Sequence, residues 1–203
     1  ARYENPDPIL KKKAINLGID FIVEKDINNI LIQEKLSKYN CDLFVSMSFN
    51  QIFKKDTFLI PKKGTINCHA GKLPFYRGRN VLNWALINDE KEFGITVHFI
   101  DENIDTGDVI LQKAFPINED DNYGTLLKKS YEQCPKLLLQ ALEIIMQNKV
   151  EVISQKSLNK TFMYCSKRVE GDEIINWENN SREIFNFIRA LTNPGPCALT
   201  FSK

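Results

Sequence analysis

Asn67-Cys68-His69 is the stretch of this sequence best suited to do chemistry. It ends an apolar run, Gly64 to His69, and meets a loop marked by glycine and proline, Gly71 to Arg79. If the run is a strand, alternation puts Asn67 and His69 on one side and Cys68 on the other. An amide beside an imidazole suits acyl transfer: the amide N–H stabilises a developing oxyanion while the imidazole handles protons. A second stretch, Asp101 to Gly107 (DENIDTG), carries three acids between two apolar runs. A carboxylate near His69 would raise its pKa and orient the ring. Each stretch also has a plainer reading, a hydrogen-bonded histidine at a strand end and a solvated acidic turn. Spacing alone does not bring the two together.

These residues need elements to position them. Pro8 opens a short helix, Ile9 to Leu17, closed by Gly18. Ile19 to Val23 reads as a strand. Asp26 or Asn28 caps a second helix that runs to about Lys38. Cys41 to Met47 reads as a buried strand, and Gln51 to Phe58 as a helical turn before Pro61. Asn80 to Asn88 is a compact helix; Phe93 to Ile100 and Asp108 to Pro116 are strands of a hairpin-like pair. Asn122 to Asn148 is the longest helical pattern, which Pro135 should interrupt or kink. Asn180 with Glu183 forms an N-cap pattern for a last helix through Ala190. The order of helices and strands predicts an α/β fold with parallel strands. In open sheets of this kind, ligands bind at the carboxyl ends of the strands. The texture becomes polar and irregular after about Val152, which sets a boundary near residues 155 to 160.

Composition narrows the chemistry further. The formal net charge of +1 over 203 residues argues against a strongly basic nucleic-acid protein. The lysine groups, Lys11 to Lys13, Lys54-Lys55 and Lys62-Lys63, are short and dispersed. No apolar run approaches the ~20 residues of a membrane span. Five cysteines at wide spacings, with no C-x-x-C, argue against a disulfide framework and point to a reducing cytoplasm. Only His69 and His98 are histidines, and no usual ligand spacing appears, so no metal is expected. Dinucleotide, phosphate-loop and serine-hydrolase signatures are absent as well.

The block from Asn67 to Gln112 holds four ordered motifs: Asn67-x-His69, the Leu73 to Gly78 run LPFYRG, the Gly94 to His98 run GITVH, and the Ile104 to Gly107 run IDTG. Together they resemble the folate-dependent formyltransferases. Asp172 to Trp177 and Phe187 to Ala190 resemble the entrance to that family's C-terminal domain. The resemblance implies that the sheet is Rossmann-like and mostly parallel, in a catalytic domain over 1–155 followed over 156–203 by a linker and the beginning of a smaller C-terminal domain. It implies a one-carbon transferase with 10-formyltetrahydrofolate as co-substrate. It places the catalytic trio on Asn67, His69 and Asp105: the first two stabilise a tetrahedral oxyanion, and Asp105 holds and charges His69. It places the folate at Phe49, Gln51, Ile52, Phe53, Arg79, Asp101, Glu102, Asn103 and Ile104, within a pocket begun by Ser48. It assigns the amine substrate to Gly71, Lys72, Leu73, Pro74, Tyr76 and Arg77. His98 is expected to have a core or supporting role, and Cys68 to pack.

Arg79, Leu82, Asn83 and Trp84 resemble the sugar-nucleotide branch, of the 4-amino-4-deoxy-arabinose type, so the implied acceptor is an amino-sugar nucleotide used in polysaccharide biosynthesis. Initiator methionyl-tRNA is the alternative. A chain that keeps these residues by inheritance, as an inactive remnant or binding module, is a third reading. The resemblance also admits a homodimer through the C-terminal region. The family's first strand–helix–strand unit lies before the point matching Ala1, so the resemblance implies that this unit is missing.

Overall fold

The computed structural model describes residues 6–158 and 162–201. Asp7 caps helix α1 (Pro8–Asn16) by accepting from the Ile9 and Leu10 amides. Helix α2 (Ile30–Lys38) is capped by Asn29, not by the expected Asp26 or Asn28. Asn28 is committed elsewhere: its amide donates to the Ile52 carbonyl and accepts from the Lys54 amide and the Thr57 hydroxyl. Ile19 to Val23, expected as a strand, is irregular. Strand formation depends on tertiary pairing as much as on β-branched content.

The main sheet has the order β1 (Phe44–Met47), β2 (Thr65–His69), β4 (Glu92–Phe99), β5 (Val109–Pro116). Between β1 and β2 lies the short helix α3 (Lys55–Phe58); between β2 and β4 lie strand β3 (Arg77–Gly78) and helix α4 (Val81–Ile87). β1 and β2 run parallel, with Val45 beside Ile66 and Met47 beside Cys68. β4 runs antiparallel to both β2 and β5. Residues 48–64 are long enough for the parallel β1–β2 crossover, whereas 100–108, between β4 and β5, form only a turn and make that pair antiparallel. The expected α/β class and the hairpin-like pair are both present.

Helix α5 (Tyr123–Met146) runs unbroken through Pro135. The proline removes one ladder bond, at a cost of ~3 kcal/mol. The stripe Leu126, Cys134, Leu137, Ala141 and Ile145 offsets that cost by burying against the sheet. Asn122 starts the helix with a capping box to Thr125.

The last elements are strand β6 (Tyr164–Cys165), paired parallel to β3, and helix α6 (Ser181–Ala190), whose capping box joins Asn180 and Glu183. Cys165, Ala190 and Leu191 belong to the same hydrophobic core as Ile66, Leu86, Ile95 and Leu126. The Asn83 amide also donates to the Ala190 carbonyl at 2.7 Å. Residues 162–201 thus pack directly onto the portion before the expected boundary at 155. Among the described residues no helix is long and apolar enough to cross a membrane.

Candidate active site

Strand alternation presents Asn67 and His69 together, and the antiparallel register sets His98 of β4 directly beside Asn67. The turn after β4 then returns Asp105 to the same place, so four polar side chains from two strands and a turn converge. Asp105 has a left-handed backbone, φ +54°. Its Oδ2 accepts the Gly78 amide at 2.8 Å and lies 3.7 Å from His69 Nδ1. Its Oδ1 lies 3.4 Å from His98 Nε2 and 3.5 Å from Asn67 Nδ2.

Backbone carbonyls fix both imidazole tautomers, because a carbonyl only accepts. His69 Nε2 is 2.7 Å from the Tyr76 carbonyl, and His98 Nδ1 is 2.7 Å from the Phe99 carbonyl. Those nitrogens therefore carry the protons. In each neutral ring the nitrogen facing Asp105 is the bare one, so Asp105 sits between two sites that can each take up a proton.

Burial lowers the pKa of His69; the Asp105 charge and the Tyr76 carbonyl oppose it, and His98 adds a further lowering. The carboxylate does favour the imidazolium, but burial outweighs it and the resting ring is neutral. Burial also pushes the Asp105 carboxyl up. Interaction with the protonated rings of His69 and His98, together with the Gly78 amide, overcomes that and holds it at about 2.

The quartet lies on the wall of an open cleft of about 850 Å³. The carboxyl ends of β1 and β2, the start of α4, the 100–105 turn and the first half of α5 enclose it. Phe49, Gln51, Ile52, Phe53, Arg79, Asp101, Asn103 and Ile104, expected at the folate, all line this cleft. Phe49 and Phe53 pair as tilted rings with centroids 5.4 Å apart. Gln51 also ties down a neighbouring segment, accepting from the Ile27 amide and donating to the Glu24 carbonyl. Asp101 accepts from the Asn103 amide and the Thr106 hydroxyl, which shapes its turn. Glu102 is outside the lining: it is 65% exposed and reaches Lys55 at 3.4 Å.

The residues expected at the amine substrate lie elsewhere. Gly71, Lys72, Leu73, Pro74, Tyr76 and Arg77 are not part of the cleft wall. Their loop passes behind His69. A Cβ on Gly71 would come within 2.3 Å of His69 Nε2, so only glycine lets the chain pass there. Thr96 and Gln112 anchor this loop through the Gly71 and Leu73 carbonyls. Lys72 pairs with Glu92, and the Tyr76 hydroxyl donates to Glu90. Arg77 is buried, with its guanidinium 4.9 Å from the Phe162 ring centre. A glycine-rich loop beside a catalytic strand reads as a ligand loop in sequence; only the chain's path shows that it braces the histidine.

Cys68 packs as expected. Its Sγ lies 3.7 Å from the Cys134 carbonyl, and hydrogen bonding with Cys134, together with burial, pushes its thiol well above the ordinary value. Trp84 is half-buried and donates to the Ser166 carbonyl. Sequence reasoning gave no site role to Gly78, whose amide anchors Asp105, nor to Lys167, which lines the cleft. The LPFYRG motif contained the first; nothing local marks the second. Among the described residues no three His, Cys, Asp or Glu side chains group as metal ligands.

Comparison with known proteins places this geometry in context. The family described as Formyl transferase matches residues 8–142, more than half of the chain. The methionyl-tRNA formyltransferase of Pelotomaculum thermopropionicum is 38% identical over 200 residues, covering 98% of this chain and 62% of that protein. The bifunctional polymyxin resistance protein ArnA of Wigglesworthia glossinidia brevipalpis is 36% identical over 192 residues, covering 95% of this chain and 29% of that protein. The crystal structure of an N-formyltransferase from Helicobacter canadensis, in complex with folinic acid and dTDP-3-aminofucose, superposes with a TM-score of 0.70 at 28% identity. That match covers 89% of this chain and 63% of the other. The chain thus spans less than two thirds of the length of the methionyl-tRNA formyltransferases it matches.

Proposed function

The chain belongs to the formyl transferase family, and from that premise we propose that it moves a formyl group from 10-formyltetrahydrofolate to the primary amine of an amino-sugar nucleotide. The observation that carries the reading is the convergence of Asn67, His69 and Asp105 on one wall of the cleft. The cleft fits the co-substrate. The Phe49–Phe53 pair offers an apolar aromatic surface, and Arg79, on the lining, offers a charge for a carboxylate. At about 850 Å³ it has room for a folate head and a small acceptor side by side.

Each residue then has a role its position supports. Asn67 holds its amide N–H groups in only long contacts, 3.4 and 3.5 Å, so they are available to a developing oxyanion. His69 takes up a proton at Nδ1, the bare nitrogen, as the attacking amine forms its bond to the formyl carbon, and gives it to folate N10 as the C–N10 bond breaks and tetrahydrofolate leaves. Asp105, ionised at neutral pH, stabilises the imidazolium so formed. His98 presents its Nε2 to the same carboxylate at 3.4 Å.

The co-crystallised amino-sugar nucleotide of the Helicobacter canadensis relative supports the sugar acceptor. So does the scarcity of cations at the cleft, where Arg79 and Lys167 are the lining cations among the described residues. The second reading is methionyl-tRNA as acceptor. It is favoured by the 38% identity to a methionyl-tRNA formyltransferase, against 28% to the sugar enzyme. Formyl transfer assayed with amino-sugar nucleotides and with methionyl-tRNA separates them. Turnover on a sugar nucleotide alone supports the first. Turnover on tRNA alone, falling steeply with salt, replaces it with the second.

A further inference from the structure

Gln155 lies beyond the family-matched residues 8–142, yet it reaches the centre of the site. It opens a 3-10 turn, Gln155–Leu158, and is buried. Its Nε2 donates to the carbonyl of Asp105 at 3.0 Å and to that of Gly107 at 2.7 Å. Its Oε1 accepts from Arg77 Nε at 3.2 Å and from Arg77 Nη2 at 2.7 Å. Both amide hydrogens and the oxygen are used, so the group has one orientation. Arg77 is held in turn against Phe162 and Tyr164.

The turn that Gln155 grips needs holding. Asp105 has φ +54°, a conformation that persists in a non-glycine residue only when its surroundings enforce it. Its own carbonyl is one of the two that Gln155 takes. On the other side of the turn, a Cβ at Gly107 would sit 1.9 Å from the Phe99 carbonyl, so the backbone there is already pressed against β4.

We infer that Gln155, clamped by Arg77, is a positioning residue that fixes the backbone of Asp105 and thereby aims its carboxylate between His69 and His98. This deepens the proposed function and rests on its reading of Asp105. It makes Gln155 and, through Arg77, Phe162 and Tyr164 a working part of the active site. It also gives Arg77 of the LPFYRG motif a role: bracing Asp105 through Gln155.

Gln155→Glu tests the inference in the full chain, because it keeps the side chain's size and its partner Arg77 but loses the donor to both carbonyls. Gln155→Ala and Arg77→Lys are the second and third variants. Imidazole nitrogen NMR reads the two histidines, and Asp105→Asn sets the scale for complete loss of the carboxylate. The expected result is a His69 titration displaced in Gln155→Glu toward that of Asp105→Asn, with a smaller displacement of the same sign in Arg77→Lys. Formyl transfer should lose about 10²-fold in kcat, with KM for 10-formyltetrahydrofolate nearly unchanged. A His69 titration and a kcat like those of the parent in a folded Gln155 variant, even with a lowered melting temperature, would leave Gln155 a packing residue and overturn the inference. Should the parent chain transfer no formyl group, the proposed function fails on that result, and the His69 titration still decides the role of Gln155.

Discussion

Replacing Asp105 by asparagine removes a charge while keeping a shape. The asparagine oxygen can still accept the Gly78 amide, and Gln155 still holds the backbone carbonyl of residue 105. The turn therefore stays, and the electrostatics change. The wild-type carboxyl is held at about 2 against an ordinary 3.8. At 1.36 kcal/mol per pH unit that gap is ~2.5 kcal/mol in favour of the ionised form, shared among His69, His98 and the Gly78 amide. From the ring's side, opposite charges ~4 Å apart near a protein surface attract by ~4 kcal/mol. The imidazolium of His69 should therefore lose up to ~2.5–4 kcal/mol in the variant. Where that imidazolium forms during reaction, the rate falls by ~10²–10³. His69, already depressed by burial, should titrate at still lower pH.

Stability supplies a second readout with a definite sign. Because the folded carboxyl lies below its ordinary value, its stabilisation is present above pH 3.8 and disappears as pH falls toward about 2. Wild type and Asp105→Asn should differ by up to ~2.5 kcal/mol at pH 7 and converge near pH 2 in denaturant titrations. A His69 titration that is unmoved or raised, with formyl transfer within about threefold of wild type, would refute the proposed pairing.

Asn67→Ala should lower kcat by ~10²–10³, the usual cost of an oxyanion donor, while 5-formyltetrahydrofolate binding measured by calorimetry stays near wild type. Gly107→Ala should displace the catalytic turn, since its Cβ would meet the Phe99 carbonyl at 1.9 Å; the check is a lowered melting temperature together with lost activity. Leu126→Ala, at a fully buried position of α5, should cost ~2–5 kcal/mol in urea unfolding. Asn180→Ala should cost ~1 kcal/mol by removing the capping box of α6.

What the sequence by itself determined was local. Alternation in TINCH put Asn67 and His69 on one face, the Asn180–Glu183 pair started a helix, and four short ordered motifs pointed to the family. Each depends on neighbours a few residues apart, where covalent geometry fixes the outcome. Tertiary structure decided the rest. Pro135 stayed within a helix because the apolar stripe around it buries against the sheet. The 71–77 loop passed behind His69 because Thr96 and Gln112 hold its carbonyls from other strands. His69 rests neutral because burial outweighs the carboxylate brought up from 36 positions further along, and burial is a property of the packed chain. The grip of Gln155 on Asp105 spans 50 positions, and no local pattern records which distant carbonyls a buried amide will find.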